Sequence, residues 1–322
     1  FKQKTAYEIG VRLVGSEMCI RDRQMQDTSL MSIHHTAIIS PLADIADGVQ
    51  IGPYCVIEDE VHIGPGCTIG PYVHIKGPVT IGSENHIYTG CVLGEAPQHL
   101  KYNDEETGLE IGNNNIIREH VTLHRGTTHR GVTRIGSHNF LMAGSHVAHD
   151  CILGNHIQLA NGAMIGGHCI LDDGCIISGN ATVHQNCRIG RLAMLGGLSG
   201  TTKNLPPFML QQGINCITGI NIIGLRRNGV PKESIIAIKK AFKLLFDDRN
   251  PMSAALINIE TQLGNIVEVQ ELVEFIRSSK NGINRIRDSK RGLIMGSDPV
   301  SYTHLRAHET DSYLVCRLLR EK

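Results

Sequence analysis

His146-Val147-Ala148-His149-Asp150 is the segment of this 322-residue chain best suited to proton chemistry. A carboxylate beside an imidazole fixes its tautomer and stabilises the imidazolium, the pairing a general base requires. Eighteen residues past His149 stands Gly167, within Gly166-Gly167-His168, and eighteen further stands Gln185, within Val183-His184-Gln185. A glycine N–H stacked beside the imidazole would face a developing oxyanion. The chain holds 17 histidines, 15 of them between Met31 and the onset of helical spacing, so most need a blander reading. His62, His74, His86, His138 and His156 read as decoration of solvated corners. Taken alone, the His149–Asp150 pair reads equally well as a catalytic dyad or a solvated corner.

A repeat must position these groups. From Ile33, every sixth residue to Leu195 is Ile, Leu or Val at 25 of 28 positions; the exceptions are His99, Glu105 and His129. Neither the helical period of 3.6 nor the strand period of 2 gives a strict six. A chain that runs a short strand, turns a corner and repeats does give it. Three such faces close an 18-residue coil, and coils stack about 4.8 Å apart through parallel hydrogen bonds. The sequence therefore predicts a mainly β protein, with a parallel β-helix over residues 31–205. Val147 then points to the axis, its neighbours point outward, and His149 stacks on Gly167.

The residue after many anchors is Gly, which corners need for positive φ or close backbone approach. Cys55, Cys67, Cys91, Cys151, Cys169, Cys175 and Cys187 all fall four residues after an anchor. Small residues fill that slot elsewhere, so the thiols read as packing rather than as ligands or disulfides. Such use fits a reducing cytoplasm. Residues 94–110 and 127–134 break the repeat and predict loops extruded from the scaffold, where binding groups are commonly placed. His124 and His129 are five apart, and a third histidine from another coil would complete a zinc site like that of the γ-type carbonic anhydrases. The second loop argues against it, since the two would leave register.

After Leu205-Pro206-Pro207 the spacing becomes helical, with Ile235, Ile238, Phe242 and Leu245 on one face and Pro231 and Glu233 in the first turn. Two further amphipathic stretches, residues 254–263 and 267–276, complete a helical domain over residues 206–294. Arg226-Arg227 would fork onto phosphate or simply be solvated. Lys239, Lys240 and Lys243 serve solubility or an acidic protein partner. With 41% hydrophobic residues, 4% aromatic, no Trp and 35 Gly, the chain suits thin repeated layers better than a jigsaw core. Zero net charge gives no bulk electrostatic reason for a nucleic-acid partner. No apolar run approaches the roughly 18–20 residues of a membrane span. No cofactor is expected. Open coil faces predict association, most simply as a ring of three. Residues 1–30 and 295–322 carry no repeat, and residues 7–23 and 299–310 resemble translated sequencing-adapter read-through. They are expected to be a non-native leader and tail.

Four segments carry a family resemblance: IxREHVTLHRGT at residues 116–127, HVAHDC at 146–151, TVHQ at 182–185 and GxNxxGLRR at 219–227. Over residues 32–286 the chain resembles the acyl-carrier-protein-dependent UDP-N-acetylglucosamine O-acyltransferases of lipid A synthesis. The resemblance implies a left-handed parallel β-helix, a homotrimer, and active sites between neighbouring subunits. It implies His149 as general base, Asp150 as its partner and the Gly167 N–H as oxyanion donor. It implies substrate contacts from His124, His146, His168, His184, Gln185 and Lys101, and a nucleotide end held by Asn221 and Arg227. Gly197 matches a position where bulk would shorten the acyl channel, implying a chain on the order of 12–14 carbons, each buried CH₂ worth about 0.8 kcal/mol. Two positions depart from the family pattern: His99 in Pro97-Gln98-His99-Leu100-Lys101-Tyr102, usually Asp, and Ile223, often acidic. Other readings are the related UDP-glucosamine N-acyltransferase, which carries an extra N-terminal domain, a γ-carbonic-anhydrase-like zinc hydro-lyase, and a non-catalytic scaffold with uniform outer faces.

Overall fold

An aliphatic at every sixth residue can be buried in every copy only if the chain closes on itself. The computed structural model, described over residues 33–247 and 251–286, does so once per eighteen residues. Strands mostly two residues long, one residue outward and one inward, alternate with tight corners. They form three sheets of nine, eight and eleven strands, called here the first, second and third faces in the order the chain visits them. Partners are parallel and eighteen apart, as in His146 with Met164 and Val147 with Ile165. The anchors line a dry axis, with Ile117, Leu123, Leu141, Val147 and Ile165 fully buried. The fold is the parallel β-helix that the six-residue step implies, left-handed as the family resemblance implies.

Strand pairing accounts for the three failures of the step. Ile81 pairs with Ile111, 30 residues on instead of 18, and Ile111 pairs with Ile135, 24 on. The insertions are therefore 12 and 6 residues, whole multiples of the step, so the aliphatics on either side stay in phase. The first insertion, carrying His99 and Glu105, is trimmed by strands Val92–Glu95 and Gly108–Ile111 to a loop over residues 96–107. The second carries His129 and ends at strand Val132–Ile135.

The corners obey two rules, one expected and one not. All seven cysteines of the small-residue slot are buried. Cys55 and Cys151 donate their thiols to the Gly70 and Gly166 carbonyls of the next coil at 3.0 and 3.1 Å. Burial pushes the Cys91 thiol up to about 11 and that of Cys187 to about 12, which leaves them unreactive. The glycines after the anchors, in contrast, serve close approach and mostly not positive φ. A Cβ on Gly136 would lie 2.4 Å from the Gly154 carbonyl oxygen. Left-handed backbone falls two residues later, at Asp150 (φ 59°) and His168 (φ 61°) among others. The histidines also divide: His138 and His156 occupy corners and stack at 4.9 Å, but His62, His74 and His86 face outward from strands.

Four helices follow: α1 (Ile222–Arg227), α2 (Lys232–Leu245), α3 (Met252–Leu263) and α4 (Val267–Ser278). The sequence foresees the last three and misses α1, which is too short to show a period. Ile235, Ile238, Ala241 and Leu245 of α2 and Val269, Leu272, Val273 and Ile276 of α4 are buried and continue the core of the coils. An Arg191–Glu271 ion pair of 2.8 Å ties α4 to a corner. Lys239, Lys240 and Lys243 are exposed. The third face gains Met209–Gln211, antiparallel Cys216–Ile220, and the returning strand Arg285–Ile286. The expected leader and tail lie wholly outside the described residues, as do Cys19 and Cys316.

Coil stacking leaves no room for a methyl at Gly136. Gly136→Ala should lower unfolding stability by about 1–3 kcal/mol through overpacking. An unchanged urea midpoint would contradict that spacing.

Candidate active site

His149 and Asp150 sit at the corner between the first and second faces, after strand His146–Val147 and before Ile152–Leu153. Left-handed backbone, which Asp tolerates better than most residues, occurs at Asp150. Its carboxylate meets the preceding ring, with His149 Nδ1 2.8 Å from Oδ2. Asp150 is fully buried and His149 is 8% exposed. Burial raises the carboxyl pKa, but hydrogen bonds from His149 and Thr127 outweigh it and hold it below the ordinary value. Thr127 donates its N–H to Oδ1 at 3.0 Å and its hydroxyl to Oδ2 at 2.7 Å. Arg130 donates to the Asp150 backbone carbonyl at 2.8 Å. An ionised carboxylate only accepts, so the proton lies on His149 Nδ1 and Nε2 is left to receive one.

Gly167 lies one coil away, as the spacing predicts. A Cβ there would come within 2.8 Å of His149 Cε1 and Nε2, so only glycine admits the ring. Its carbonyl accepts from Asn186, while its N–H has no partner among the described residues. The Gly166–Gly167 peptide is held by the Cys151 thiol on its carbonyl. An unpaired, oriented amide therefore stands beside the base nitrogen, the arrangement an oxyanion requires.

Other histidines crowd this corner. The rings of His149 and His168 meet edge to face at 5.0 Å, and those of His124 and His146 at 4.9 Å. Thr122 Oγ1 lies 2.7 Å from His146 Nδ1. Burial lowers the pKa of His146 and His168, and pushes that of His124 down to about 4. His124 Nδ1 and His168 Nδ1 are buried without hydrogen-bond partners. His184 and Gln185 are exposed on the next coil of the same corner, and Lys101 is exposed on the first loop. His124 and His129 contact different rings, His146 and His168, so the zinc pairing suggested by their spacing does not form.

Sequence reasoning misses Thr127 and Arg130, and it does not place His99 or His129 beside the dyad: it reads His99 as a departure from the family pattern and His129 as a zinc candidate. The structure folds both loops back over the dyad. His99 brings its ring to 5.3 Å from His149, and His129 to 4.9 Å from His168. The one signal in the sequence is that both histidines occupy anchor positions without being aliphatic.

Three expected site residues lie elsewhere. Asn221 donates to the Leu192 carbonyl at 2.9 Å, at the corner between the second and third faces. Its Oδ1 accepts from Gly224 N–H at 3.0 Å and so caps α1. Arg227 and Ile223 line a groove of about 910 Å³ with Phe140, Ile176 and Met194. Gly197 occupies the corner between the third and first faces, where a Cβ would meet the Gly179 carbonyl oxygen at 3.6 Å, an ordinary contact. One chain thus distributes base, groove and Gly197 over three corners.

Hexapeptide coils bearing a base and a free amide on one corner define an acyltransferase of the hexapeptide class. A model of bacterial transferase hexapeptide repeats matches residues 60–95 and 133–167, and one for domain 2 of Udp N-acetylglucosamine O-acyltransferase matches residues 205–284. The chain is 55% identical over 257 residues to the acyl-[acyl-carrier-protein]–UDP-N-acetylglucosamine O-acyltransferase of Aquifex aeolicus, covering 79% of this chain and 98% of that protein. It is 48% identical over 255 residues to the enzyme of that name from Halorhodospira halophila, at 79% and 99% coverage. The structure of LpxA from Acinetobacter baumannii superposes with a TM-score of 0.76 at 43% identity, over 80% of this chain and 100% of that one. The chain belongs to the acyl-[acyl-carrier-protein]–UDP-N-acetylglucosamine O-acyltransferase family.

Two outcomes follow from the site geometry. Hydrogen bonds to charged groups contribute about 1.5–3 kcal/mol, so Thr127→Val should reduce kcat roughly tenfold to a hundredfold with KM little changed. A kcat within about twofold of the parent would show that Asp150 needs no such support. His124 has a folded pKa of about 4, below the 6.5 of an unperturbed histidine. The unfolded chain therefore takes up this proton first, and stability present above pH 6.5 is lost as pH falls toward 4. His124→Asn should flatten that loss in urea unfolding between pH 7.5 and 5, whereas an unaltered slope would place the sensitivity elsewhere.

Proposed function

We propose that the protein transfers an acyl chain from acyl carrier protein to the 3-hydroxyl of UDP-N-acetylglucosamine, the first step of lipid A biosynthesis. One observation carries the reading: His149, oriented by Asp150 at 2.8 Å, lies against the unpaired amide of Gly167. His149 Nε2 takes the hydroxyl proton as the sugar oxygen attacks the thioester carbonyl. The Gly167 N–H receives the oxyanion, and Asp150 stabilises the imidazolium. Collapse breaks the carbon–sulfur bond, and the departing thiolate takes the proton from His149.

His124, His146, His168, His184, Gln185 and Lys101 supply polar contacts along the substrate path. In a homotrimer, the corner bearing His149 faces the groove of a neighbour, which brings Asn221 and Arg227 to the nucleotide. The three-corner distribution supports that assembly, because a single chain leaves the site incomplete. The coils of residues 31–205 form the acyltransferase domain, and residues 206–294 form the helical domain that contributes the nucleotide groups. The absence of a side chain at Gly197, whose Cβ would stand 3.6 Å from the Gly179 carbonyl oxygen, suits a long acyl chain. Buried thiols fit a cytoplasmic enzyme, and among the described residues no helix is long and apolar enough to cross a membrane.

General-base catalysis contributes about 10²–10⁴-fold. His149→Ala should lose that much acyl transfer, measured as acylated UDP-N-acetylglucosamine by mass spectrometry, while light scattering still reports a trimer. Full activity in the variant would overturn the assignment of the base.

A further inference from the structure

The atoms that orient the base also outline a binding site for a metal ion. His149 Nδ1 and His168 Nδ1 converge on one oxygen, Asp150 Oδ2, at 2.8 and 3.7 Å. All three lie within 4.8 Å of one another. Zinc bonds nitrogen and oxygen at about 2.0–2.2 Å, so its ligand atoms stand roughly 3.4 Å apart in a tetrahedron, and the two separations bracket that value. The His168 nitrogen is buried and unpartnered, a donor atom waiting for an acceptor or a cation. Thr127 holds the carboxylate through both oxygens, as the outer partners of a metal ligand do.

We infer that a zinc-class divalent ion binds His149 Nδ1, Asp150 Oδ2 and His168 Nδ1 as an inhibitory ligand. The ion replaces the proton that His149 shares with Asp150, and the neutral ring carries one on Nε2 instead, so the exchange is a tautomer shift with no net proton released. Protons compete with the ion for both imidazoles, so affinity rises with pH. A neutral imidazole with its Nδ1 lone pair on the ion carries its proton on Nε2. That nitrogen then has no lone pair for the sugar hydroxyl, and the base is off. The Arg130 guanidinium, bonded to the Asp150 carbonyl, repels the ion, so binding is reversible rather than structural. His99 and His129, the loop rings beside His149 and His168, are placed to compete for or complete the coordination. The inhibition rests on the proposed acyl transfer; the binding does not.

The test uses the full chain without substrate. Zinc chloride is titrated against a chromophoric chelator, and cobalt(II) is followed by its visible spectrum. One site should weaken at least tenfold in His168→Ala, in the milder His168→Gln and in Asp150→Asn, each checked for a parental unfolding midpoint. The cobalt spectrum of the parent should lack a thiolate charge-transfer band. Affinity unchanged in these variants would move the ion to another histidine pair, such as His34 and His35 or His138 and His156, and overturn the assignment. So would a thiolate band. In a parallel assay, acyl transfer should fall as the site fills and return with EDTA; undiminished transfer at a filled site would refute the inhibitory role. Transfer absent even from metal-free protein would instead sink the proposed function and leave the binding result standing.

Discussion

Closure of the chain once per eighteen residues is the constraint on which every other feature rests. Each inward aliphatic is covered only by its counterparts one coil above and below. Burying such a side chain contributes roughly 1.5–3 kcal/mol, and a one-residue slip would turn the whole row outward. Register is thereby fixed along the axis, and with it the outward positions. His149 and Gly167 meet because Val147 and Ile165 must pair. The stacking of His149 on Gly167 is thus a by-product of core packing.

What the coils alone do not provide is a stable buried carboxylate. Asp150 is fully buried, and an isolated ion there would be costly. The second insertion solves this, since Thr127 and Arg130 stand in it and reach back to Asp150. The same crowding leaves His124 Nδ1 and His168 Nδ1 unpaired, at about 1–3 kcal/mol for each buried group left without a partner. Uncompensated polar atoms thus collect at one corner, among the rings around His149.

The remaining division is spatial. Asn221 spends its side chain on capping α1 and on the Leu192 carbonyl, and so holds the shape of the groove that it lines. Ile223, with Phe140, Ile176 and Met194, gives that groove an apolar part to its lining. Both features sit a full face away from the base.

The architecture, the seven packed cysteines, the outward placement of His149 and its stacking on Gly167 follow from the six-residue step alone. They depend on periodicity, which a linear sequence displays directly. Even the insertions are visible, because a loop that leaves and rejoins a coil can have any length, yet these are 12 and 6 residues and so preserve the phase. Only the tertiary structure decided what the loops do. That His99 returns to His149, that Thr127 grips Asp150, and that Asn221 caps α1 at another corner depend on where irregular backbone comes to rest. Irregular backbone has no period, and its course is set by contacts distant in sequence.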